Sequence, residues 1–376
     1  MAPETPPLEG PVLLGIGNPL LDLIAEVPTS LLDKYGLEAN NAILAESRHR
    51  PLYTELRDQF RVQFVAGGAT QNSIRVAQWM LRGQWPGATA YLGAVGRDEF
   101  AERMRESATA DGVRVQYYVH DEEPTGTCAV LVSHGGACRS LVAHLAAANT
   151  YPVSHLREPV QWQLVERARV FYIAGFFLTV SPESALAIGE HVAAHPHKLF
   201  GMNLSAPFLL QVPQYWERFQ TLLPYVDVYF GNESEARVLA EQMGWADVLH
   251  GDGSPADEVM RVAMALATRT AKHTARPRTV VFTCGTEPTA VVVGDQHRLW
   301  SAEQYGVIPC PAEDLVDTNG AGDAYVGGFL ATLVRGRPLR ECCAAGNYAA
   351  SAVIRRSGCT FPDKPSFVFR GVNVLV

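Results

Sequence analysis

Asp317-Thr318-Asn319-Gly320-Ala321-Gly322-Asp323 runs directly into Ala324-Tyr325-Val326-Gly327-Gly328-Phe329-Leu330-Ala331-Thr332-Leu333. The second string has helical spacing: Ala324, Gly327, Gly328 and Ala331 make a flat side suited to close packing, and Phe329, Leu330 and Leu333 fill in around it. The first string is then a loop feeding a helix N-terminus. First-turn N–H groups lack intrahelical partners, and Gly320-Ala321-Gly322 lets them approach a bound group with no side chain in the way. Such a site suits an anion. Asp323 lies where the helix dipole favours negative charge, so it is expected to be ionised at neutral pH and able to accept a proton. Weak basicity suffices in phosphoryl transfer, because the transition state is loose and N–H groups hold the charge on the moving group. A glycine loop capped by an aspartate would explain Gly-x-Gly-Asp alone. Taken together, the anion hole and the carboxylate have the look of a kinase.

The bulk numbers agree. With 47% hydrophobic and 19% charged residues, the 376-residue chain suits a compact soluble protein, one large domain or a domain with an appendage. A formal charge of −8 without a basic block disfavours nucleic acid and anionic membranes as partners and favours a small ligand. The seven cysteines are odd in number and show no Cys-x-x-Cys spacing, which argues against a disulfide framework and a zinc site and for a reducing compartment. Residence in the cytoplasm, with or without the nucleus, is expected. Residues 1–11 are proline-rich and acidic with no apolar run, so they read as a loose tail rather than a signal or transit peptide. The longest apolar run, 170–180, is too short to span a bilayer.

Along the chain, Val12-Leu13-Leu14-Gly15-Ile16-Gly17 reads as the buried first strand of an α/β sheet. Its Gly-x-Gly is not a dinucleotide fingerprint, since the third glycine would fall at Leu20 and residues 18–23 do not open a helix cleanly. Asn18 and Asp22 instead offer polar groups at the C-terminal end of a strand, where open α/β sheets bind ligands. An Asp there can take two sugar hydroxyls, although a solvated turn would also explain it. Residues from about 23 to 65 do not resemble a βαβ unit and read as an insertion. A second irregular piece, 115–145, looks like hairpins built from Tyr117-Tyr118-Val119, Thr127-Cys128-Ala129-Val130-Leu131-Val132, Gly135-Gly136 and Arg139-Ser140-Leu141-Val142. Two such insertions could pair into a lid that keeps water from a phosphoryl transfer.

Between them, Ala66-Gly67-Gly68-Ala69-Thr70-Gln71-Asn72-Ser73 leads into a helix over 74–81, and Asn72 in its first turn can bind a hydroxyl. From 168 onward strands and helices alternate, with a Ser181-Pro182-Glu183 helix start after Val170-Phe171-Tyr172-Ile173-Ala174. The expected fold is α/β: a doubly wound, mostly parallel sheet with helices on both faces, from residues 1–19, 67–114 and 146–376, plus a smaller β-rich lid domain from 20–66 and 115–145. A helix near 256–270 carries no assigned chemistry.

The Asp-Thr-Asn-Gly-Ala-Gly-Asp string resembles the C-terminal signature of the ribokinase-like (carbohydrate kinase) superfamily. Gly67-Gly68, followed by Gly93-Ala94-Val95-Gly96-Arg97-Asp98-Glu99-Phe100, resembles its N-terminal signature. The resemblance implies that Asp323 is the catalytic base and that backbone N–H groups of Gly320, Ala321 and Gly322 stabilise the phosphoryl in flight. Gly231-Asn232-Glu233-Ser234-Glu235 opens a helix, and a capping box by itself explains Asn232 and Glu235. Mg²⁺, however, keeps several waters and is held through one or two carboxylates plus substrate phosphates. By resemblance, Glu235 and, through water, Asn232 hold that ion. Arg139 could clamp a phosphate when the lid closes, or be a solvated hairpin arginine. The absence of Gly-x4-Gly-Lys-Ser/Thr excludes a P-loop NTPase, and no His-Arg-Asp triplet supports a protein kinase.

Asn18-Pro19-Leu20-Leu21-Asp22, Thr70-Gln71-Asn72-Ser73, Pro124-Thr125-Gly126-Thr127-Cys128, Ala174-Gly175-Phe176-Phe177-Leu178-Thr179 and Gly358-Cys359-Thr360-Phe361-Pro362 resemble the eukaryotic adenosine kinases within that superfamily, over about residues 15–362. This implies ATP-dependent phosphorylation of the adenosine 5′-hydroxyl, giving AMP and ADP. Leu20, Leu44, Leu145 and Phe177 would wall the purine, and Asn18, Asp22, Gly68 and Asn72 would hold the ribose. Asn232, Thr283, Gly285, Asn319 and Asn347 would border ATP. Ala69, Ala42 and Asn347 stand where vertebrate-type members have Ser, Gln and His; the first two would face the nucleobase, which leaves base selectivity open, and Asn347 would lie near the ATP adenine. A monomer acting on adenosine and ATP, with no nucleic-acid or membrane partner, is expected. The alternatives are a kinase of the same fold for inosine, guanosine or a sugar such as ribose, or a nucleoside-binding regulator without catalysis. Asp323, Asn232 and Glu235 all being present counts against the regulator.

Overall fold

The computed structural model describes residues 10–39, 41–83, 85–133, 138–249 and 254–368, so most of the N-terminal tail and the Gly135-Gly136 turn lie outside the described residues. Two sheets form. The larger has nine strands: β1 (Leu13–Ile16), β5 (Thr89–Gly96), β6 (Arg114–His120), β9 (Val170–Ala174), β10 (Leu199–Asn203), β11 (Val228–Asn232), β12 (Arg278–Cys284), β13 (Glu287–Asp295) and β14 (Arg298–Tyr305). Their spatial order is β14-β13-β12-β11-β10-β9-β1-β5-β6, and all neighbours pair parallel except β12–β13 and β13–β14. β1 and β5 are buried throughout, as expected where helices cover both faces of a parallel sheet. Successive strands run one way from β1 to β5 and β6 and the other way from β9 onward. This reversal opens a crevice at the carboxyl ends of the strands.

The smaller sheet takes β2 (Leu20–Glu26), β3 (Ala42–Leu44), β4 (Gln63–Gly67), β7 (Thr127–Ser133) and β8 (Cys138–His144), in the order β3-β8-β7-β2-β4. β7 and β8 form an antiparallel hairpin, as read from the sequence over 127–142. Two details depart from it. Tyr117-Tyr118-Val119 belongs to β6, which pairs parallel with β5 in the large sheet, because its buried positions join the large core rather than a lid. The first insertion is also less purely β than its composition suggests, since helices Thr29–Tyr35 and Arg50–Gln59 bury Leu31, Leu32, Leu52 and Leu56 against the small sheet.

Packing fixes the helix that carries Asp323, Ala321–Leu333. A Cβ on Gly327 would lie 2.5 Å from the Ser73 carbonyl oxygen, and one on Gly328 would lie 2.3 Å from that of Ala345. The bare faces therefore let helices Ala69–Leu81 and Leu339–Val353 close on it from two sides. Arg75, on the first of these, is buried; its guanidinium donates to the carbonyls of Ala66 and Cys359 and pairs with Asp111 at 2.6 Å. One side chain thus ties the end of β4, the helix after it and the C-terminal segment together.

Candidate active site

The acceptor side is built where β1 ends and the small sheet begins. Leu20 pairs with Gly67 and Asp22 with Val65 across β2 and β4. A Cβ on Gly67 would sit 2.4 to 2.5 Å from the Asp22 carboxyl group, so only glycine leaves room for that acid. Gly68 has φ +93°, and a side chain there would meet the Asn18 carbonyl at 2.2 Å. This bend starts the helix at Ala69, earlier than the sequence pattern suggests, and places Asn72 within it. The Asn18 amide donates to the Ala148 carbonyl at 3.0 Å, while the side-chain oxygens of Asn18 and Asn72 are buried without a partner among the described residues. Orphaned acceptors of this kind suit the hydroxyls of a bound ligand. Gly126 lies between the Leu145 carbonyl and a Leu20 methyl, which brings those two apolar groups together at the same wall.

The phosphoryl side is the loop before Asp323. Gly320 caps the helix at φ +77°, with Cys359 packed beneath it, and a side chain at Gly320 would be strained. Asp317 folds the loop: its carboxylate accepts the N–H of Asn319 at 2.9 Å and that of Gly358 at 2.8 Å. The Ala321 N–H donates to the Thr318 carbonyl at 3.2 Å, so in this structure it closes the turn instead of facing the cleft. Asn72 donates to the Asp323 carboxylate at 3.0 Å, joining the acceptor and phosphoryl sides.

Burial pushes Asp323 up to about 7, opposed by the Asn72 hydrogen bond, so desolvation outweighs the helix dipole that suggested an ordinary ionised acid. Asp22 is likewise pushed up to about 7, first by burial, with Arg75 pulling the other way. Both are poised to exchange a proton near neutrality.

On the opposite wall, Asn232 ends β11 and caps the helix Glu233–Gln242. Its side chain accepts the Glu235 N–H at 2.9 Å, and the Glu235 carboxylate accepts the Asn232 N–H at 3.0 Å and its side-chain amide at 3.1 Å. The capping box is real, yet Glu235 faces the same cleft as Asp323, and burial pushes it up to about 7. No cluster of three or more His, Cys, Asp or Glu forms a metal cage among the described residues. One buried acid lining the cleft fits a hydrated divalent ion shared with phosphates rather than an ion caged by protein.

A cleft of about 440 Å³ brings together the last two parts, lined by Asn203, Ser205, Asn232, Glu235, Gly320 and Asp323 among others; it reaches the acceptor side at Ala69, and Asn18, Leu20, Asp22, Gly68, Asn72 and Leu145 are not among its lining residues. A larger groove of about 850 Å³ beside helices Thr29–Tyr35 and Arg50–Gln59 holds the Lys34–Glu55 pair and no comparable convergence. Thr283 and Asn319 line the cleft; Gly285 turns between β12 and β13, and Asn347 is buried with its amide on the Gly306 carbonyl. Arg139 is not a solvated hairpin residue. It is 9% exposed, 3.3 Å from the Asp317 carboxylate, and donates to Ser357. Phe177 is fully buried edge-on to Tyr151, and Phe176 is the ring that lines the cleft. Leu44 is 61% exposed on the edge strand β3. Asn203 and Ser205 escaped the sequence reading; polar residues just past an apolar strand, before Pro207, were the available signal.

An acid beside a glycine-capped helix, hydrogen-bonded to Asn72 at the switch point of a doubly wound sheet, fits a small-molecule kinase of the ribokinase-like class. The model of the pfkB family of carbohydrate kinases matches residues 29–366, and the chain belongs to that family. Within it the chain is 51% identical to adenosine kinase 1 of Arabidopsis thaliana, over 95% of this chain and 97% of that one. Adenosine kinase of Anopheles gambiae, solved with P1,P4-di(adenosine-5) tetraphosphate, superposes with a TM-score of 0.83 at 43% identity, covering 96% and 100% of the two chains. That of Schistosoma mansoni with 2-fluoroadenosine gives 0.81 at 34% identity, covering 94% and 98%.

Proposed function

We propose that the chain transfers the γ-phosphoryl group of ATP to the 5′-hydroxyl of adenosine, giving AMP and ADP. The observation that supports the reading most is the Asn72–Asp323 hydrogen bond, which ties Asn72 to an acid that lines the cleft together with Gly320 and Gly322. Asn18, Asp22, Gly68 and Asn72 hold the ribose, with Leu20 and Leu145 along the base. Asp323 takes the 5′-hydroxyl proton as that oxygen bonds to the γ-phosphorus. The bond from phosphorus to the β,γ-bridging oxygen breaks and its electron pair leaves with ADP. The N–H groups of Gly320 and Gly322 face the transferring group, and the Ala321 N–H joins them once released from Thr318. Glu235 and, through water, Asn232 would hold Mg²⁺, which would neutralise phosphate charge. Arg139 is lid-borne, and meeting the phosphates requires it to leave Asp317. Residues 20–66 and 115–145, less the β6 residues that pair with β5 in the large sheet, act as the lid. The di-adenosine tetraphosphate bound by the Anopheles gambiae enzyme supports a cleft with room for two adenosines bridged by phosphates.

The test is ATP-dependent phosphate transfer across adenosine, inosine, guanosine and ribose. Adenosine is expected to give the highest kcat/KM, and preference for another acceptor would replace this reading. Asp323→Ala should cut kcat by several orders of magnitude while adenosine still binds; near-normal turnover would remove Asp323 from the role of base.

A further inference from the structure

The carbonyls of Gly67 and Gly68 are both held by the helix they feed. The Gly68 carbonyl accepts the Asn72 N–H at 2.8 Å, and the Gly67 carbonyl accepts the Gln71 side-chain amide at 2.9 Å. Gln71 does not act alone. Its Oε1 accepts the Tyr117 hydroxyl at 2.5 Å. Gln71 is fully buried and Tyr117 nearly so. Tyr117 stands on β6 opposite Gly93 of β5, its ring edge-on to Tyr91 and 5.3 Å from the Arg105 guanidinium. Two paired strands of the large sheet therefore back an amide that grips the first glycine of the pair.

The partners of that amide decide which way it points. A glutamine has donors at one end and an acceptor at the other, and only the donor end can meet the Gly67 carbonyl. Burial pushes the Tyr117 hydroxyl well above its ordinary range, with Arg105 pulling the other way, so its proton stays in place. The relay thus runs in one direction, from Tyr117 through Gln71 to Gly67. Its target needs such help. Ala66, one residue earlier, is tied by Arg75 at its carbonyl and by Ser107 at its N–H. The two glycines after it have no Cβ to resist rotation, so hydrogen bonds must set their peptide. The C=O and N–H of a planar trans peptide point opposite ways, and fixing the Gly67 carbonyl toward Gln71 fixes the Gly68 N–H away from it. Acceptor residues surround that peptide: a Cβ on Gly67 would meet the Asp22 carboxyl, and one on Gly68 the Asn18 carbonyl.

We infer that Gln71 and Tyr117 are positioning residues for the nucleoside: their relay sets the plane of the Gly67–Gly68 peptide and so presents the Gly68 N–H to the ribose hydroxyls. The inference rests on the phosphotransferase reading above and on its assignment of Gly68 to the ribose. Its rival is a buried polar pair that only satisfies itself.

Gln71→Met keeps the length of the side chain and removes the donor; Tyr117→Phe keeps the ring and removes the hydroxyl that orients the amide. Tm is measured for each variant, with Kd for adenosine, 2′-deoxyadenosine, 3′-deoxyadenosine and a non-hydrolysable ATP analogue by calorimetry. Steady-state kinetics give kcat and KM for adenosine. Gln71→Met should weaken adenosine binding about tenfold and Tyr117→Phe about threefold, the range of one hydrogen bond. The change should fall on KM, with kcat within about twofold of wild type, and the ATP analogue should bind as before. For at least one deoxynucleoside the loss should be smaller by about twofold or more, because a missing hydroxyl cannot register an N–H aimed at it. Unmoved adenosine affinity, equal weakening of all three nucleosides, weakening of the ATP analogue alike, or a loss carried by kcat each overturns the proposal. If Gln71→Met does not fold, Tyr117→Phe decides on the same readings, and failure of both to fold assigns the pair to structure alone. If the wild-type protein binds adenosine but transfers no phosphate to it, the functional reading fails instead, and the hydroxyl dependence of binding still decides the role of the relay. A wild-type protein that does not bind adenosine overturns both.

Discussion

Asn72→Ala should move the acid limb of the pH–rate profile. Asp323 accepts one side-chain hydrogen bond among the described residues, from the Asn72 amide at 3.0 Å. That bond favours the carboxylate while burial opposes it, and the two leave the group at about 7. A hydrogen bond to a charged group is worth about 1.5 to 3 kcal/mol. At 1.36 kcal/mol per pH unit, its loss raises Asp323 by about 1 to 2 units. The base is active when deprotonated, so kcat/KM climbs as pH rises through its pKa. The climb in the variant should therefore be displaced upward by that amount. The assay is kcat/KM for adenosine from pH 6 to 9.5, in wild type and Asn72→Ala. Asp22 also sits near 7 and is raised in part by the charge of Asp323, so any change in its share of the limb runs downward, opposite to the displacement expected of Asp323. Losing a ribose contact lowers the plateau, whereas losing the hydrogen bond moves the limb. A lower plateau with an unmoved limb would refute the claim that Asn72 sets the basicity of Asp323.

Gly67→Ala would thrust a methyl group to within 2.4 Å of the Asp22 carboxyl, so adenosine affinity should fall at least tenfold with little change in nucleotide binding. Calorimetric adenosine binding equal to wild type would show that Asp22 does not hold the ligand. The ligand-free protein should also lose stability as pH rises. Asp22, Asp323 and Glu235 are each pushed up to about 7, first by burial, against about 4 for unfolded carboxyls. Between those values the folded chain holds protons that the unfolded chain has released. Folding is therefore favoured at the acid end, and the advantage fades up to about pH 7 and levels off beyond. Tm by calorimetry should be lower at pH 8 than at pH 6, with the difference reduced in Asp22→Asn; a Tm that rises over this range contradicts it.

The fold was legible because its signals are local. Apolar runs such as Leu13–Ile16 and Val170–Ala174 bury both faces, and Ser181-Pro182 starts a helix as its residue types require. The phosphate loop and the Asn232–Glu235 pair could be read for the same reason, since each is a short string at a helix start. What stayed hidden depends on long-range packing. Tyr117 and its neighbours look the same in a hairpin as in an edge strand, and only the tertiary core decides. Phe176 and Phe177 are identical letters, and the direction in which Gly175 and the following helical turn leave β9 selects which ring meets the cleft. The proton affinity of Asp323 was misjudged because a helix N-terminus is visible in sequence and the depth of a cleft is not. Ser205, whose φ is +72°, gave no sign, since left-handed backbone is expected of glycine and asparagine before serine.

The two bare faces of the Asp323 helix have a bearing on biosynthesis. Its walls come from residues 69–81 and 339–353, so the base has no fixed position until a ribosome has delivered nearly the whole chain. A nascent or truncated product lacking the later wall would keep most of the large sheet but leave the glycine surface wet. Such a fragment should gain no catalytic competence in stages, and turnover should appear only once residues 339–353 have docked.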